Sequence, residues 1–239
     1  MKLVNAELHE VLSAKKVTHL FHANTVATST SFILAGGLLS RGDVERRNIF
    51  QTPQSSDEDD KKFDVWNDIF LDAEDLHKKF QRQNKYGPVL FKFRIDFLLQ
   101  GDLDVWVTKS NPIYWREGQS SNDRYFKDTS ELMKAWDEPG SQQRMFTIRK
   151  PGGPVLFPYL DEITIDYFDG NVYGEQGLHA GTIAVHSLFA ATESFRSLRS
   201  LVKTRECTPN CYCVKNIKNE LSNLERARLF CPRDLIHSA

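Results

Sequence analysis

Hydrophobic and polar residues alternate with a period of two in several short segments of the chain. The clearest segment is residues 89–97, in which Val, Leu, Phe and Ile are interleaved with Lys, Arg and Asp. Successive side chains of a β-strand point to opposite faces, so this alternation predicts strands. The predicted strands comprise residues 17–22, 63–71, 89–97, 105–108, 145–148 and 160–166.

Apolar residues recur at helical spacing in fewer segments. The predicted helices comprise residues 1–16, 25–34, 130–136 and 183–202. Asn24 or Thr25 is suited to cap the start of the second helix, and Gly36 or Gly37 is suited to cap its end. Short strands mixed with few long helices favour an α+β fold over a doubly wound parallel sheet.

The chain has 239 residues, of which 40% are hydrophobic. This length suffices for one large domain, or for one domain and a small module. The apolar runs are too short to cross a membrane, and the first residues lack the apolar region of a secretory signal. These features predict a cytoplasmic protein that does not bind membranes.

Charge is distributed unevenly, although the formal net charge is only −1. Residues 195–239 contain nine Lys or Arg and four Asp or Glu, whereas the remainder contains 22 basic and 28 acidic residues. A basic tail beside an acidic body is suited to contact phosphate, although an ordinary solvated helix gives the same pattern. We therefore predict a main domain over residues 1–195 and a basic module over 196–239.

Residues 51–62 are polar and strongly acidic. This composition is typical of a mobile insertion. Such a loop would be placed to cover a site formed by the residues before it, and an uninvolved surface loop is the alternative.

The most informative stretch is residues 20–41. An apolar strand ends at His22, a polar turn with Asn24 and Thr25 leads into a helix, and Arg41 follows the glycines that end it. Free N–H groups at a helix start attract anions, and an arginine grips phosphate with two parallel hydrogen bonds. These groups together predict a compact site for a phosphate and a sugar.

Each of these residues also has a simpler role. A histidine at a strand end is often a satisfied core residue, so His22 alone does not define a site. The two polar residues after it are suited to cap the helix whether or not they bind a sugar. Arg41 is a surface arginine in the simpler interpretation, and the nearby Arg46 and Arg47 could replace it.

Residues 17–42 resemble the N-terminal NAD-binding element of DarT-like ADP-ribosyltransferases, the toxins of bacterial toxin–antitoxin systems. Those proteins open with a strand, a His, a polar Thr or Asn, a helix and a Gly-Leu-Leu-Ser exit. The resemblance implies a split β-sheet core with flanking helices and NAD as co-substrate. It also implies that His22 binds a ribose, that Asn24 and Thr25 line the same site, and that Arg41 grips the pyrophosphate.

Glu162 is the catalytic residue that this resemblance implies, in a part of the chain where the likeness is weaker. In the family, a glycine-containing turn precedes the strand that carries the acid, as residues 150–154 do here. A carboxylate beside the ribose 2-hydroxyl would stabilise the oxocarbenium-like transition state of ADP-ribosyl transfer. Asp161 and Glu175 are competing acids, and a solvent-facing position on an amphipathic strand is the simpler alternative for Glu162.

The resemblance implies a toxin that modifies nucleic acid, within a toxin–antitoxin or anti-phage defence system. The chain departs from the DarT pattern over residues 42–115, which favours a divergent branch such as the CmdT-like toxins, and hence RNA over single-stranded DNA. A cognate antitoxin, and in some systems a chaperone, are the implied partners. The departure leaves the aromatic that would stack on nicotinamide unassigned. The candidates are Tyr86, Trp106, Tyr114 and Trp115.

All four cysteines lie near the C-terminus, with the spacing C-x3-C-x-C-x17-C. They are Cys207, Cys211, Cys213 and Cys231. Four thiolates at short range suit a tetrahedral zinc site, and a cytosolic chain does not keep stable disulfides. We therefore predict that the tail is a small Cys-rich helical module that holds zinc, with free thiols as the alternative.

Two other functions stay open. One is a catalytically inactive, zinc-stapled module that binds nucleic acid through its basic tail. The other is an NAD-using RNA 2′-phosphotransferase, which needs several arginines aimed at the RNA phosphate. Arg94, Arg116 and Arg124 are the available residues in the middle of the chain.

Overall fold

The computed structural model describes residues 2–82, 84–138, 144–173, 177–208 and 211–236. Its strands are β1 (His19–Asn24), β2 (Ile69–Leu71), β3 (Val89–Arg94), β4 (Val105–Val107), β5 (Phe146–Ile148), β6 (Leu160–Tyr167) and β7 (Val202–Glu206). Its helices are α1 (Asn5–Ala14), α2 (Val26–Ala35), α3 (Arg41–Arg46), α4 (Asp57–Lys62), α5 (Leu76–Phe80), α6 (Ser121–Arg124), α7 (Thr129–Lys134), α8 (Ala180–Ala191), α9 (Arg196–Arg199), α10 (Cys213–Glu220) and α11 (Asn223–Phe230). Short 3-10 helices cover Ile95–Gln100, Pro112–Tyr114, Phe157–Tyr159 and Arg233–Leu235.

Four strands form the larger sheet, in the order β1-β3-β6-β7. Strand β3 runs antiparallel to both β1 and β6, and β7 runs parallel to β6. In this register His22 lies opposite Phe91, and Phe91 lies opposite Ile163. These three residues therefore share one face of the sheet, since residues directly opposite each other project to the same side.

Three strands form the smaller, antiparallel sheet, in the order β2-β5-β4. The two sheets meet where β1 passes the end of β2. There the backbone amides of Phe21 and Asp72 each donate to the other residue's carbonyl oxygen, at 2.8 Å in both cases. This junction places the end of β1 beside the end of β2, and the site described below lies there.

Helices α2 and α8 pack against each other, and α11 packs against both. The ring of Phe32 on α2 meets Phe91 on β3 edge to face, with ring centroids 6.2 Å apart. Phe91 is fully buried, and it stacks on Phe93 and Phe157. The main core therefore lies between the larger sheet and the α2/α8 layer.

The structure confirms the predicted α+β class, with two sheets, flanking helices and a helical Cys-rich C-terminal segment. It also confirms the limits of α2. The Thr25 side chain caps its start by accepting from the amide of Thr28, and Gly36 ends it in the left-handed conformation with φ 76°. No helix in the described part of the chain combines the length and apolar character that a membrane span requires.

Three predicted segments differ from the structure. The strand predicted over residues 63–71 is limited to β2, because Phe63 and Val65 pack instead into a separate small core with Trp115 and Tyr125. The helix predicted over 183–202 gives way to α9 and then to β7. The acidic segment 51–62 contains α4, whose acids in the first turn suit the positive end of the helix dipole.

The C-terminal segment shares the core of the rest of the chain. Strand β7 completes the larger sheet, and α11 buries Phe230 and Ala227 against the α2/α8 layer. Strand β7 and helix α11 therefore share the core of the preceding elements, and the division at residue 195 stays a prediction.

Candidate functional site

A cleft with about 840 Å³ of space, part of it open to solvent, lies at the junction of the two sheets. Its walls come from the end of β1, the start of α2, the segment around α4, the end of β2 and the turn before β3. The lining residues whose side chains are suited to bind a ligand or act on it include His22, Asn24, Arg41, Asp60, Asp72 and Tyr86.

His22 presents a fixed hydrogen-bond acceptor to this cleft. Burial lowers the pKa of His22, although its hydrogen bond to the Phe70 carbonyl opposes the shift. That carbonyl lies 2.8 Å from Nδ1 and can only accept, so Nδ1 carries the hydrogen of the neutral ring. Nε2 is then an acceptor, and the Asn24 amide lies 3.4 Å from it. The arrangement suits a sugar hydroxyl as an added donor.

Asn24 and Thr25 hold the start of α2 in place. The Oδ1 of Asn24 accepts from the Thr25 amide at 2.9 Å. The Thr25 hydroxyl lies 2.7 Å from the Thr52 hydroxyl and 3.1 Å from the Thr28 hydroxyl. Thr25 is buried and engaged within the protein, so its role is to fix the backbone. Asn24 is the residue of this pair that lines the cleft.

Arg41 lines the cleft and ties it to α4. Its guanidinium donates to Asp57 at 2.7 Å and to the Thr52 carbonyl at 3.2 Å, and it lies over the Trp66 ring. The Nε of Arg41 and the Oδ1 of Asp57 are buried without a hydrogen-bond partner among the residues that the structure describes. The acidic segment is thus a wall of the cleft, and Arg41 keeps donor capacity for a ligand.

Three carboxyl groups line the cleft, and burial raises the pKa of each. The pKa of Asp60 rises to about 6, against the opposing effects of Ser56 and Arg41. The pKa of Asp72 rises to about 7, with Glu74 as a secondary cause. The pKa of Asp68 also rises to about 7, although Arg149 opposes the shift. Strongly shifted acids in a cleft are frequent at functional sites.

Tyr86 is the candidate aromatic that faces the ligand space. It lines the cleft, and burial raises the pKa of its hydroxyl, an effect that a hydrogen bond with Asn111 opposes and the charge of Asp72 adds to. Trp106 and Trp115 pack with the small core around Tyr125 and do not line the cleft. Of the four aromatic candidates, Tyr86 is therefore the one placed to stack on a planar ring.

Glu162 lies away from this cleft, and its catalytic role stays a prediction. It lies opposite Lys92 on β3, one residue out of step with the His22–Phe91–Ile163 row, and therefore projects from the other face of the sheet. There it accepts from Thr164 at 2.6 Å and from Lys203 at 3.0 Å. Burial acts to raise the pKa of Glu162, but these hydrogen bonds outweigh it and lower the pKa.

The two competing acids do not replace it. Asp161 lies 3.3 Å from His19 and 3.6 Å from Lys92, in a partly exposed charge cluster outside the cleft. Glu175 lies outside the described residues. Likewise Arg94, Arg116 and Arg124 do not line the cleft, so these arginines do not converge on a phosphate there.

A second cluster gathers three of the four cysteines with a histidine that the sequence did not suggest. Cys207, Cys211 and Cys213 surround His77 of α5. Cys231 is instead fully buried in the hydrophobic core, where burial raises the pKa of its thiol to about 11. Cys231 therefore lies outside the cluster, the group that could hold a metal consists of His77 and the other three cysteines, and metal binding by all four cysteines stays a prediction.

Sequence reasoning missed the cleft acids and His77 because neither has a local signal. Asp72 is one of several acids beside a short strand, and His77 lies 130 residues before Cys207. Asp75 is a recognisable N-cap for α5, the helix that carries His77, but a helix cap does not indicate a ligand site.

The fold and the cleft define an α+β protein with a candidate ligand site between two sheets. No family model and no curated protein matches the chain. It is similar to solved structures of Thermosipho africanus DarTG in complex with ADP-ribose (12% identity, TM-score 0.45) and Thermus sp. 2.9 DarT in complex with NAD+ (11% identity, TM-score 0.45). A further similar structure is Thermus sp. 2.9 DarT in complex with ADP-ribosylated ssDNA (12% identity, TM-score 0.45).

The matches differ in the share of the matched chain that they cover. The match to DarTG covers 79% of this chain and 50% of that one, so the chain spans about half of the DarTG length. The two DarT matches cover 80% and 83% of this chain, and 95% and 97% of the DarT chains.

Proposed function

We propose that the protein is an NAD-dependent mono-ADP-ribosyltransferase whose acceptor is nucleic acid. The observation that carries the proposal is the neutral His22, whose Nε2 is held as an acceptor beside the capped start of α2 and the unpaired Nε of Arg41. One acceptor for a ribose hydroxyl next to two anion-binding groups is the combination that a dinucleotide requires. The resemblance of residues 17–42 to the NAD-binding element of DarT-like enzymes supports the same ligand.

In this proposal each cleft residue contacts a defined part of NAD. His22 accepts from a ribose hydroxyl, with Asn24 beside it. Arg41 holds the pyrophosphate. Tyr86 stacks on the nicotinamide ring.

The transfer step breaks the bond between nicotinamide and C1 of its ribose. The bonding electron pair leaves with nicotinamide, and a nucleophilic atom of the acceptor forms the new bond to C1 while its proton passes to a base. The transition state carries positive charge on the ribose, which a carboxylate stabilises. We assign this role to Asp72, because it lines the cleft and lies close enough to Tyr86 for its charge to raise the pKa of the Tyr86 hydroxyl.

RNA is the proposed acceptor, ahead of single-stranded DNA. Lys215, Lys218 and Arg228 lie exposed on α10 and α11, where they offer a basic surface for a phosphate backbone. Other basic residues of the tail are already paired, since Lys203 binds Glu162 and Arg205 binds Asp166. Because residues 17–42 resemble DarT-like toxins, we propose a cytoplasmic toxin of a toxin–antitoxin or anti-phage system, held by a cognate antitoxin and in some systems a chaperone.

The test is intact-mass analysis of matched RNA and single-stranded DNA oligonucleotides after incubation with the protein and NAD. We expect RNA to gain one ADP-ribose unit and an equal amount of nicotinamide to appear. Asp72→Asn and His22→Gln should each lower the rate about 100-fold or more, since each removes a group that acts on the ribose. Glu162→Gln is the matched control and should stay within about threefold of the wild type.

Three results would contradict parts of this proposal. Loss of activity in Glu162→Gln with full activity in Asp72→Asn would return the catalytic role to Glu162. Modification of DNA alone would reverse the acceptor preference. Absence of nicotinamide release with every acceptor, together with salt-dependent RNA binding, would favour the inactive nucleic-acid-binding module.

A further inference from the structure

Three thiols and one imidazole from distant parts of the chain lie together at the edge of the larger sheet. The Nε2 of His77 lies 3.0 Å from the Sγ of Cys213, 3.2 Å from that of Cys211 and 3.9 Å from that of Cys207. The Sγ atoms of Cys211 and Cys213 are 2.9 Å apart, and all four atoms lie within 4.8 Å of one another. Four donor atoms that converge in this way surround one common point.

We propose that this cluster binds one structural Zn²⁺ ion through His77, Cys207, Cys211 and Cys213. Zinc in proteins prefers four sulfur and nitrogen ligands in a tetrahedron, with bonds of about 2.3 Å to sulfur and about 2.0 Å to nitrogen. Such a tetrahedron has edges of about 3.5 Å, in the middle of the observed separations. Four protein ligands leave no open position, so the ion is structural and takes no part in transfer chemistry.

The partners of His77 support a metal ligand more strongly than the thiols alone. Its Nδ1 lies 2.5 Å from a carboxylate oxygen of Asp166, and both side chains are buried. A carboxylate there can only accept, so it holds the hydrogen on Nδ1 and leaves Nε2 directed at the three sulfurs. Metal-binding histidines are oriented by carboxylates in this way.

Asp166 is itself fixed from the far side. Its other oxygen accepts from the Nε of Arg205 at 2.6 Å, and Arg205 also binds Asp75, the N-cap of α5. The same arginine therefore links the carboxylate behind His77 to the helix that carries His77. A histidine that only packs in the core needs one hydrogen-bond partner for each ring nitrogen. His77 has Asp166 on Nδ1 and three thiols around Nε2, which is the arrangement of a metal ligand.

The ion would join two parts of the chain that the sequence separates. His77 lies on α5, which comes directly after β2, the strand whose end lines the cleft. The three cysteines lie after β7, and Cys213 is the first residue of α10. Bound zinc would therefore clamp the C-terminal helices to the cleft-bearing half of the molecule. This inference is independent of the proposed transferase activity.

The first test is the metal content of the full-length protein, purified without chelator and measured by inductively coupled plasma mass spectrometry. We expect one zinc per chain. His77→Asn and Cys211→Ser should each lower the zinc content to less than a tenth under the same dialysis. Cys231→Ser is the matched control, since this thiol lies outside the cluster, and should keep one zinc per chain.

Cobalt replacement in the wild-type protein keeps the test decisive if a variant fails to fold. Co²⁺ bound by three thiolates and one imidazole gives thiolate charge-transfer absorption and the visible bands of a tetrahedral ion. Loss of zinc in Cys231→Ser to the same extent as in Cys211→Ser would overturn the ligand set. Absence of metal and of cobalt bands, iron in place of zinc, or a Cys211–Cys213 disulfide in the purified protein would overturn the site.

Asp166→Asn tests the positioning role separately. Removal of a carboxylate behind a metal-bound histidine weakens metal binding about 10–100-fold. Competition with a chromophoric chelator should show a weakening of this size, with the stoichiometry still one. An unchanged affinity in Asp166→Asn would overturn the orienting role that we assign to this carboxylate.

Discussion

His22 shows how one side chain acquires a defined chemical role from its surroundings. A free histidine titrates near neutral pH and presents either nitrogen as donor or acceptor. Here burial disfavours the charged ring, and the Phe70 carbonyl fixes the remaining hydrogen on Nδ1. Nε2 is therefore an acceptor at neutral pH, to which a sugar hydroxyl can donate a hydrogen bond.

The Asp72 side chain lowers the stability of the folded protein when it is ionised, because a buried carboxylate is poorly solvated. Its pKa is about 7 in the folded protein and 3.8 as the ordinary value. Between these values the folded protein binds the proton more tightly than the unfolded chain. The stability contribution of the protonated acid is thus complete below pH 3.8 and is lost as the pH rises through about 7.

Asp72→Asn should therefore stabilise the protein, and more so at high pH. Asn cannot ionise, so the gain should be below about 1 kcal/mol at pH 4 and reach about 4 kcal/mol at pH 8, since the two pKa values differ by about 3 units and each unit corresponds to about 1.4 kcal/mol. The melting temperature, followed by circular dichroism from pH 4 to 8, measures this. Glu10→Gln, on the exposed face of α1, is the control. A gain that is independent of pH would contradict the assigned ionisation.

At the scale of elements, the site depends on how α2 begins. The Thr25 hydroxyl caps the helix and also contacts Thr28 and Thr52, so one side chain joins β1, α2 and the segment that leads to α4. Arg41 extends this link through its bond to Asp57 on α4. The wall of the cleft is therefore held by a few polar contacts and not by apolar packing, since α4 has no buried residue.

Thr25→Ala should destabilise the protein by about 1–2 kcal/mol, because it removes an N-cap and leaves the buried Thr52 hydroxyl short of a partner. Thr25→Ser keeps the hydroxyl and should recover more than half of that loss. Urea unfolding, compared at equal slope, measures both variants. Equal destabilisation by alanine and serine would show that the methyl group, and not the cap, matters here.

At the scale of the whole molecule, the C-terminal segment completes a core that begins near the N-terminus. Strand β7 adds the fourth strand of the larger sheet, and α11 covers α2 and α8. Phe230 and Cys231 are almost fully buried in the same hydrophobic cluster as Leu8 and Leu20. The hydrophobic core therefore depends on contacts between the two ends of the sequence.

A chain that ends at residue 195 should consequently lose cooperative unfolding. It lacks β7 and α11, which exposes the faces of β6, α2 and α8 that they cover. Near-ultraviolet circular dichroism and thermal melting would reveal a loss of fixed packing. The double variant Lys215→Ala, Lys218→Ala, on the exposed side of α10, should melt within about 2 °C of the wild type. A sharp transition in the shortened chain would instead support a separate C-terminal module.

Local features of the molecule could be predicted from sequence because their causes are local. Within the strand predicted over residues 89–97, the alternation up to Arg94 comes from the pleat of β3, and residues 95–97 form part of a 3-10 helix instead. The Thr25 and Gly36 caps come from the hydrogen-bond needs of one helix. The mixed α+β class follows from the number and length of such segments. The nearness of His22, Asn24 and Arg41 was predictable too, because a short strand and one helix connect them.

Tertiary structure decided which side chains meet. Glu162 follows the expected strand pattern, but a register fixed by β3 turns it to the face opposite His22. Cys231 fits the cysteine spacing, yet the packing of α11 places it in the core, and α5 brings His77 to the other three cysteines. Periodicity determines the two faces of each element, whereas the choice of neighbour depends on contacts between segments that are distant in the sequence, which no local pattern encodes.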